Sequence, residues 1–191
     1  LRAAYALILG ALLALSGCAG GDRTVVSSGE RYQHQSGPVG EYLLGAGDRL
    51  RVIVFNEERL SGEFLVGARG VVSLPLIGEV DAVGKTVEQI ASVVTTRLAD
   101  GYVRDPHVSV EVMAYRPFFV LGEVGQPGQF PYVVGLTASS AVATAGGFTP
   151  RANKKVIYIR GENESDEVAY ELTPGLRVYP GDTIRVGETF F

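Results

Sequence analysis

The sequence predicts an α+β protein built as two small mixed domains. Three observations carry that expectation. Glycine accounts for 25 of 191 residues with no collagen-like period, an excess that suits many tight turns between short strands. Apolar residues alternate at period two in 50–55 and 107–113, as half-buried strands require. Two other stretches, behind Thr86 and Thr137, read as helices opened by a residue type that caps them.

Composition narrows the function classes. Hydrophobic residues make up 46% and charged residues 20% of the chain, the balance of a folded protein. Lys and Arg total 17 against 21 Asp and Glu, for a formal charge of -4. There is no basic block, which speaks against nucleic acid as a partner. The single Cys cannot form an internal disulfide or a thiolate metal cage. No cofactor and no metal site are expected.

The first segment reads as an export signal. Arg2 supplies one positive charge, and 3–15 is an uncharged apolar run. Such a run is shorter than the roughly 20 residues of a helical bilayer span and suits a secretory h-region. It ends in Leu15-Ser16-Gly17-Cys18, which resembles the bacterial lipobox. That resemblance implies cleavage between Gly17 and Cys18, diacylglycerol on the Cys18 sulfur, and a signal peptide over 1–17. Ala19 rather than Asp after the Cys implies sorting to the outer membrane. Residues 18–40 are polar and aperiodic, a lipidated flexible tether. His34 lies there and reads as solvated.

The elements of the body follow in order. Leu50, Val52 and Val54 share one strand face. The stretches 64–66 and 71–76 flank Gly67-Ala68-Arg69-Gly70 and read as a hairpin, with Pro75 forcing an edge or bulge. Thr86 and Gln89 form a capping-box pattern ahead of Val87, Ile90, Val94 and Leu98, and Asp100-Gly101 stops that helix. His107 shares the outward face of the next strand with Ser109 and Glu111 and reads as structural. Arg116-Pro117 punctuates a boundary. Strands are expected at 118–121, 130–134, 156–160 and 168–172, with a helix over 136–145 stopped by Gly146-Gly147. At least one of that glycine pair should take a positive φ. The turn 122–128, holding Gly122, Pro127 and Gly128, must be tight. Finally, Gly181-Asp182 ahead of 183–186 echoes Gly47-Asp48 ahead of 49–52. Asp48 and Asp182 are read as turn chemistry rather than as ligands.

These motifs, in order, carry a family resemblance. Tyr42-Leu43-Leu44-Gly45-Ala46-Gly47-Asp48, the 70–80 stretch, the Thr86 helix and Asp105-Pro106-His107-Val108 resemble the polysaccharide export domain of bacterial outer-membrane export lipoproteins. Val120-Leu121-Gly122-Glu123-Val124, Pro127-Gly128 and Ala145-Gly146-Gly147-Phe148-Thr149 resemble the soluble-ligand-binding β-grasp (SLBB) domain that follows it there. The division expected is therefore an export domain over 41–114 and an SLBB domain over 115–191. The resemblance implies a homo-oligomeric ring that passes capsular or exopolysaccharide outward. It also implies an inner-membrane polysaccharide co-polymerase, often a tyrosine autokinase, as partner. Only 187–191 follow Val186, so the expectation is a ring anchored in the outer membrane, facing the periplasm, beneath a separate β-barrel porin.

Two other classes can be weighed on residues. A ligand-binding or sensing lipoprotein would use the β-grasp domain without needing a ring. A polysaccharide hydrolase would need two carboxyls at a set separation. Glu57 and Glu58 are adjacent and point to opposite sides, and Ser139 and Ser140 lack a nucleophile elbow. No catalytic residue is assigned.

Overall fold

The computed structural model describes residues 24–32 and 42–189. The first unit contains β1 (Arg49–Val54), β2 (Gly62–Leu65), β3 (Val71–Leu74), β4 (Gly78–Asp81), α1 (Val87–Ala99) and β5 (Val108–Ala114). β1 is central to an antiparallel sheet of order β2-β1-β5, and β3 pairs β4 as a separate hairpin. Helix α1 turns Ile90, Val94 and Leu98 onto a core with Leu50, Val52, Val72 and Val80. Its capping box is complete: the Thr86 hydroxyl accepts from the Gln89 amide, and the Gln89 side chain accepts from the Thr86 amide.

The expected hairpin around residues 67–70 is not the one formed. The turn exists, with the Gly70 amide donating to the Gly67 carbonyl at 2.8 Å. Its flanks, however, pair elsewhere: β2 with β1, and β3 with β4. Val66 is held by the Asp48 turn, donating to the Asp48 carbonyl and accepting from the Gly47 amide. Beyond Leu74, Pro75 ends the strand and Leu76 at φ 66 reverses the chain into β4. Two short-range signals competed, and the later turn won.

The second unit contains β6 (Phe118–Gly122), β7 (Gly128–Phe130), α2 (Ala138–Thr144), β8 (Ala152–Arg160), β9 (Val168–Glu171) and β10 (Thr183–Glu188). They form one mixed sheet of order β7-β6-β10-β8-β9, in which β10 runs parallel to β6 and antiparallel to β8. Phe118, Val120, Ile157, Ile159, Ile184 and Val186 point inward, and α2 closes that side with Ala138, Ala141 and Val142. The strand expected over 130–134 is instead 128–130. Pro131 has no amide to continue the ladder, and Val133 and Val134 stand exposed. Both Gly146 and Gly147 have positive φ, 81° and 79°.

Part of the supposed tether is bound to this unit. The Val26 amide donates to the Ala169 carbonyl at 2.8 Å, and the Glu171 amide returns a bond to Val26 at 2.9 Å. Residues 24–32 thus cover the β9 edge of the sheet, and Tyr32 pairs with Leu176. Polar composition suggested a flexible linker, but the bare sheet edge supplies backbone partners that composition does not reveal.

Candidate functional site

The two echoing Gly-Asp turns meet at the junction of the units, and there they form one constellation. Each aspartate side chain accepts the amide three residues earlier, which closes its turn: Gly45 to Asp48 and Tyr179 to Asp182, both at 2.8 Å. Gly47 and Gly181 take φ of 95° and 86° in the position before each aspartate. That much is the turn chemistry read from sequence. The rest is tertiary. Asp48 is fully buried and Asp182 is 2% exposed, so each needs a cation or several donors nearby.

Asp48 finds its cation in Arg116. The Arg116 amide donates to Oδ1 at 2.9 Å, its Nη1 lies 3.2 Å from Oδ2, and the Tyr42 hydroxyl donates to Oδ2 at 2.6 Å. Burial, and then the adjacent Asp48 carboxylate, push the Tyr42 phenol well above its usual range, so it remains a protonated donor. The Arg116 guanidinium lies directly against the bare backbone of Gly45, so a side chain there would have to displace it from Asp48. A Cβ at that position would sit 2.0 Å from Arg116 Nη1. Arg116 also reaches the second unit, with Nε 2.8 Å from Glu162 Oε2.

Asp182 finds its cation in Arg31, from the 24–32 strap. Arg31 Nη1 meets Oδ2 and Nη2 lies 3.3 Å from Oδ1, while the guanidinium sits 5.2 Å from the Tyr179 ring centre and 5.7 Å from that of Tyr170. Burial raises the Asp182 carboxyl above its ordinary value of 3.8, against the downward pull of Arg31.

Both turns grip the same connecting stretch. Asp48 holds the Arg116 amide, the Gly181 amide donates to the Pro117 carbonyl at 3.0 Å, and the Phe119 amide donates to the Asp182 carbonyl at 2.8 Å. A tyrosine ladder runs beside them: Tyr42 meets Tyr115 edge-on at 4.8 Å, and Tyr115 meets Tyr132 at 5.5 Å. The arrangement joins two small cores and clasps the strap to them.

Arg31→Ala tests the clasp. It should cost about 3 kcal/mol, because it strands a buried carboxylate, and should open 24–32 to protease. The sign with pH follows from the raised Asp182 value. Between 3.8 and that raised value the folded chain keeps a proton that the unfolded chain has released, so this group's contribution falls as pH rises. Without Arg31 that fall should extend to higher pH, and urea unfolding should show a greater loss at about pH 7 than at about pH 4. An equal loss at both would contradict the assignment.

The remaining residues singled out from sequence fall as follows. Gly17, Cys18 and His34 lie outside the described residues. Gly122, at φ 84, approaches the Val186 carbonyl, and Gly125 and Gln126 hydrogen-bond the Gly147 and Ala145 carbonyls. Pro127 is exposed, and Gly128 opens β7 opposite Val120 with free space around it. His107 is exposed with Nδ1 3.0 Å from the Asp105 carbonyl. Ser139 and Ser140 belong to the first turn of α2, where the Ser140 amide donates to Thr137. Among the described residues no three His, Cys, Asp or Glu side chains gather as a metal site would need. Sequence reasoning missed Arg31, Arg116 and the tyrosine ladder. The available signal was the pair of turn aspartates, since a buried carboxylate calls for a cation elsewhere in the chain.

Comparison with known proteins places these units. Residues 36–113 match the family described as polysaccharide biosynthesis/export protein, and residues 117–170 match the SLBB domain. The exopolysaccharide production protein ExoF of Rhizobium meliloti is 36% identical over 140 residues, 65% of this chain and 33% of ExoF. The polysialic acid transport protein KpsD of Escherichia coli is 27% identical over 157 residues, 77% of this chain and 28% of KpsD. The EPS I polysaccharide export outer membrane protein EpsA of Ralstonia solanacearum is 28% identical over 148 residues, 63% of this chain and 39% of EpsA. The chain thus spans 28% to 39% of these relatives' length.

Proposed function

The chain belongs to the polysaccharide biosynthesis/export family, and on that premise we propose that it is a non-enzymatic component of a conduit for bacterial surface polysaccharide. One observation carries the reading. An export domain and an SLBB domain follow each other in the family's order, and a partly buried Arg116 joins them by contacting Asp48 on one side and Glu162 on the other. A body with so stiff a joint suits a repeated unit in a homo-oligomeric ring, where small hinge errors would accumulate around the circle.

In this proposal the mechanism is passive. A hydrated path offers many weak polar contacts, so a polymer slides without being trapped, and the driving force comes from synthesis or from an inner-membrane co-polymerase. Cys18 carries the lipid that hangs the ring from the outer membrane on its periplasmic side. A separate β-barrel porin supplies the exit. Among the described residues no helix is long and apolar enough to cross a membrane, which does not bear on strands.

The test is genetic and visual. Deleting the gene should remove surface polymer, the intact chain should restore it, and detergent-extracted protein should give ring-shaped class averages in the electron microscope. Full surface polymer in the deletion strain would overturn the conduit. Cys18→Ser should abolish incorporation of labelled fatty acid, and undiminished labelling would remove the lipid anchor from the proposal.

A further inference from the structure

The outer face of the second sheet carries two cross-strand rows with different fates. In one, Leu121, Arg185 and Tyr158 lie abreast on β6, β10 and β8. Arg185 is consumed there: it stacks 4.0 Å from the Tyr158 ring centre and makes three hydrogen bonds to Glu167. In the other row Phe119, Thr183 and Arg160 lie abreast on the same strands. This row is open. Phe119 is 38% exposed, and among the described residues Arg160 is met only by the Thr183 hydroxyl at 3.4 Å.

The open row forms the floor of a 350 Å³ cleft whose opposite lip is Ala46-Gly47 of the first unit. Its rim is built by the junction. Because Gly181 has no side chain, Glu162 can lie against it; a Cβ there would be 2.9 Å from the Glu162 Cβ. Glu162 Oε2 forms an ion pair with Arg116 Nε at 2.8 Å, and among the described residues no hydrogen bond or ion pair reaches Oε1. The cleft therefore offers an apolar ring face, a guanidinium with spare donors, and a carboxylate oxygen with spare acceptor capacity, within the size range of small-ligand sites.

That set of groups selects by chemistry. An inorganic anion would want donors alone and would be repelled by Glu162. A wholly apolar ligand would leave Arg160 and Glu162 desolvated without partners. A pyranose ring meets each demand: its C–H face packs on an aromatic ring, and its hydroxyls both donate and accept. We propose that this junction cleft is a contact site for a neutral sugar unit of a polysaccharide, with Phe119 as the stacking platform and Arg160 and Glu162 as its hydrogen-bonding arms. The proposal rests on the export reading for the identity of the polymer, but not for the binding itself.

The chain contains no tryptophan, so Phe119→Trp in the full-length protein makes a single reporter at the cleft. Titrated with cellotetraose and with maltotetraose, its emission should change saturably with at least one of them, and not with inorganic phosphate. Phe55→Trp, at a 69% exposed position in the turn after β1, should not respond. Adding Arg160→Ala to Phe119→Trp should weaken binding about tenfold, the loss of a charged hydrogen bond. No saturable change with either sugar, an equal response at Phe55→Trp, or unaltered affinity with Arg160→Ala would each overturn the site. Surface polymer in cells separates this from the conduit. An Arg160→Ala chain that binds normally removes the site and leaves the conduit standing, whereas a deletion strain with full surface polymer removes the conduit and leaves the site.

Discussion

Asp48→Ala should destabilise the protein by about 3–5 kcal/mol, the cost of breaking a buried charged pair and leaving its partners unmet. Four donors lose their acceptor at once: the Gly45 and Arg116 amides, the Tyr42 hydroxyl and the Arg116 guanidinium. Their carboxylate is wholly shielded from water, so no solvent can take its place without opening the turn. The melting temperature should fall by about 10 °C, measured by circular dichroism. Arg116→Ala should cost a similar amount, and the double variant should cost less than the sum because the two act on one network. The same lesion should loosen the joint between the units. A cost below about 1 kcal/mol for Asp48→Ala would mean that the pair is ornamental, as many exposed ion pairs are.

Gly122→Ala should be nearly as damaging, for a steric reason. The residue sits at φ 84, where an L side chain costs about 1–2 kcal/mol. Its Cβ would also lie 2.1 Å from the Val186 carbonyl oxygen. That oxygen accepts from the Glu123 amide at 3.0 Å, so relief requires prising β6 from β10 where their parallel pairing ends. The combined loss should be about 3 kcal/mol or more. Gly128→Ala is the matched control. It belongs to the same turn, yet it is not left-handed and has nothing within 4 Å of an added Cβ. Its change should stay within about 0.5 kcal/mol. Equal losses at the two glycines, read from urea midpoints, would show that helical and strand propensity rather than geometry governs this turn.

Local order was legible wherever neighbours in sequence decide it. The Thr86 cap, the apolar stripe behind it and its stop at Asp100 appear as read, because each depends on residues within a turn or two. The alternation in 107–113 became β5 with Val110 inward and Ser109 and Glu111 outward. The hairpin partner was not legible. Two turn signals flank 71–74, and only the anchoring of Val66 by Asp48 determines which one forms the ladder.

What the sequence determined by itself was the class of fold, the helices behind Thr86 and Thr137, and the turn geometry of Gly47-Asp48 and Gly181-Asp182. Those properties arise from backbone sterics and short-range hydrogen bonds, which travel with the residues. Only the tertiary structure decided that the two turns converge on 116–119, that Arg116 and Arg31 neutralise their aspartates, and that 24–32 is a strap. The partners lie 68 and 151 residues apart in the chain. A buried charge must be met by an opposite one, but electrostatics carries no label for which cation in the sequence will come, and packing alone makes that choice.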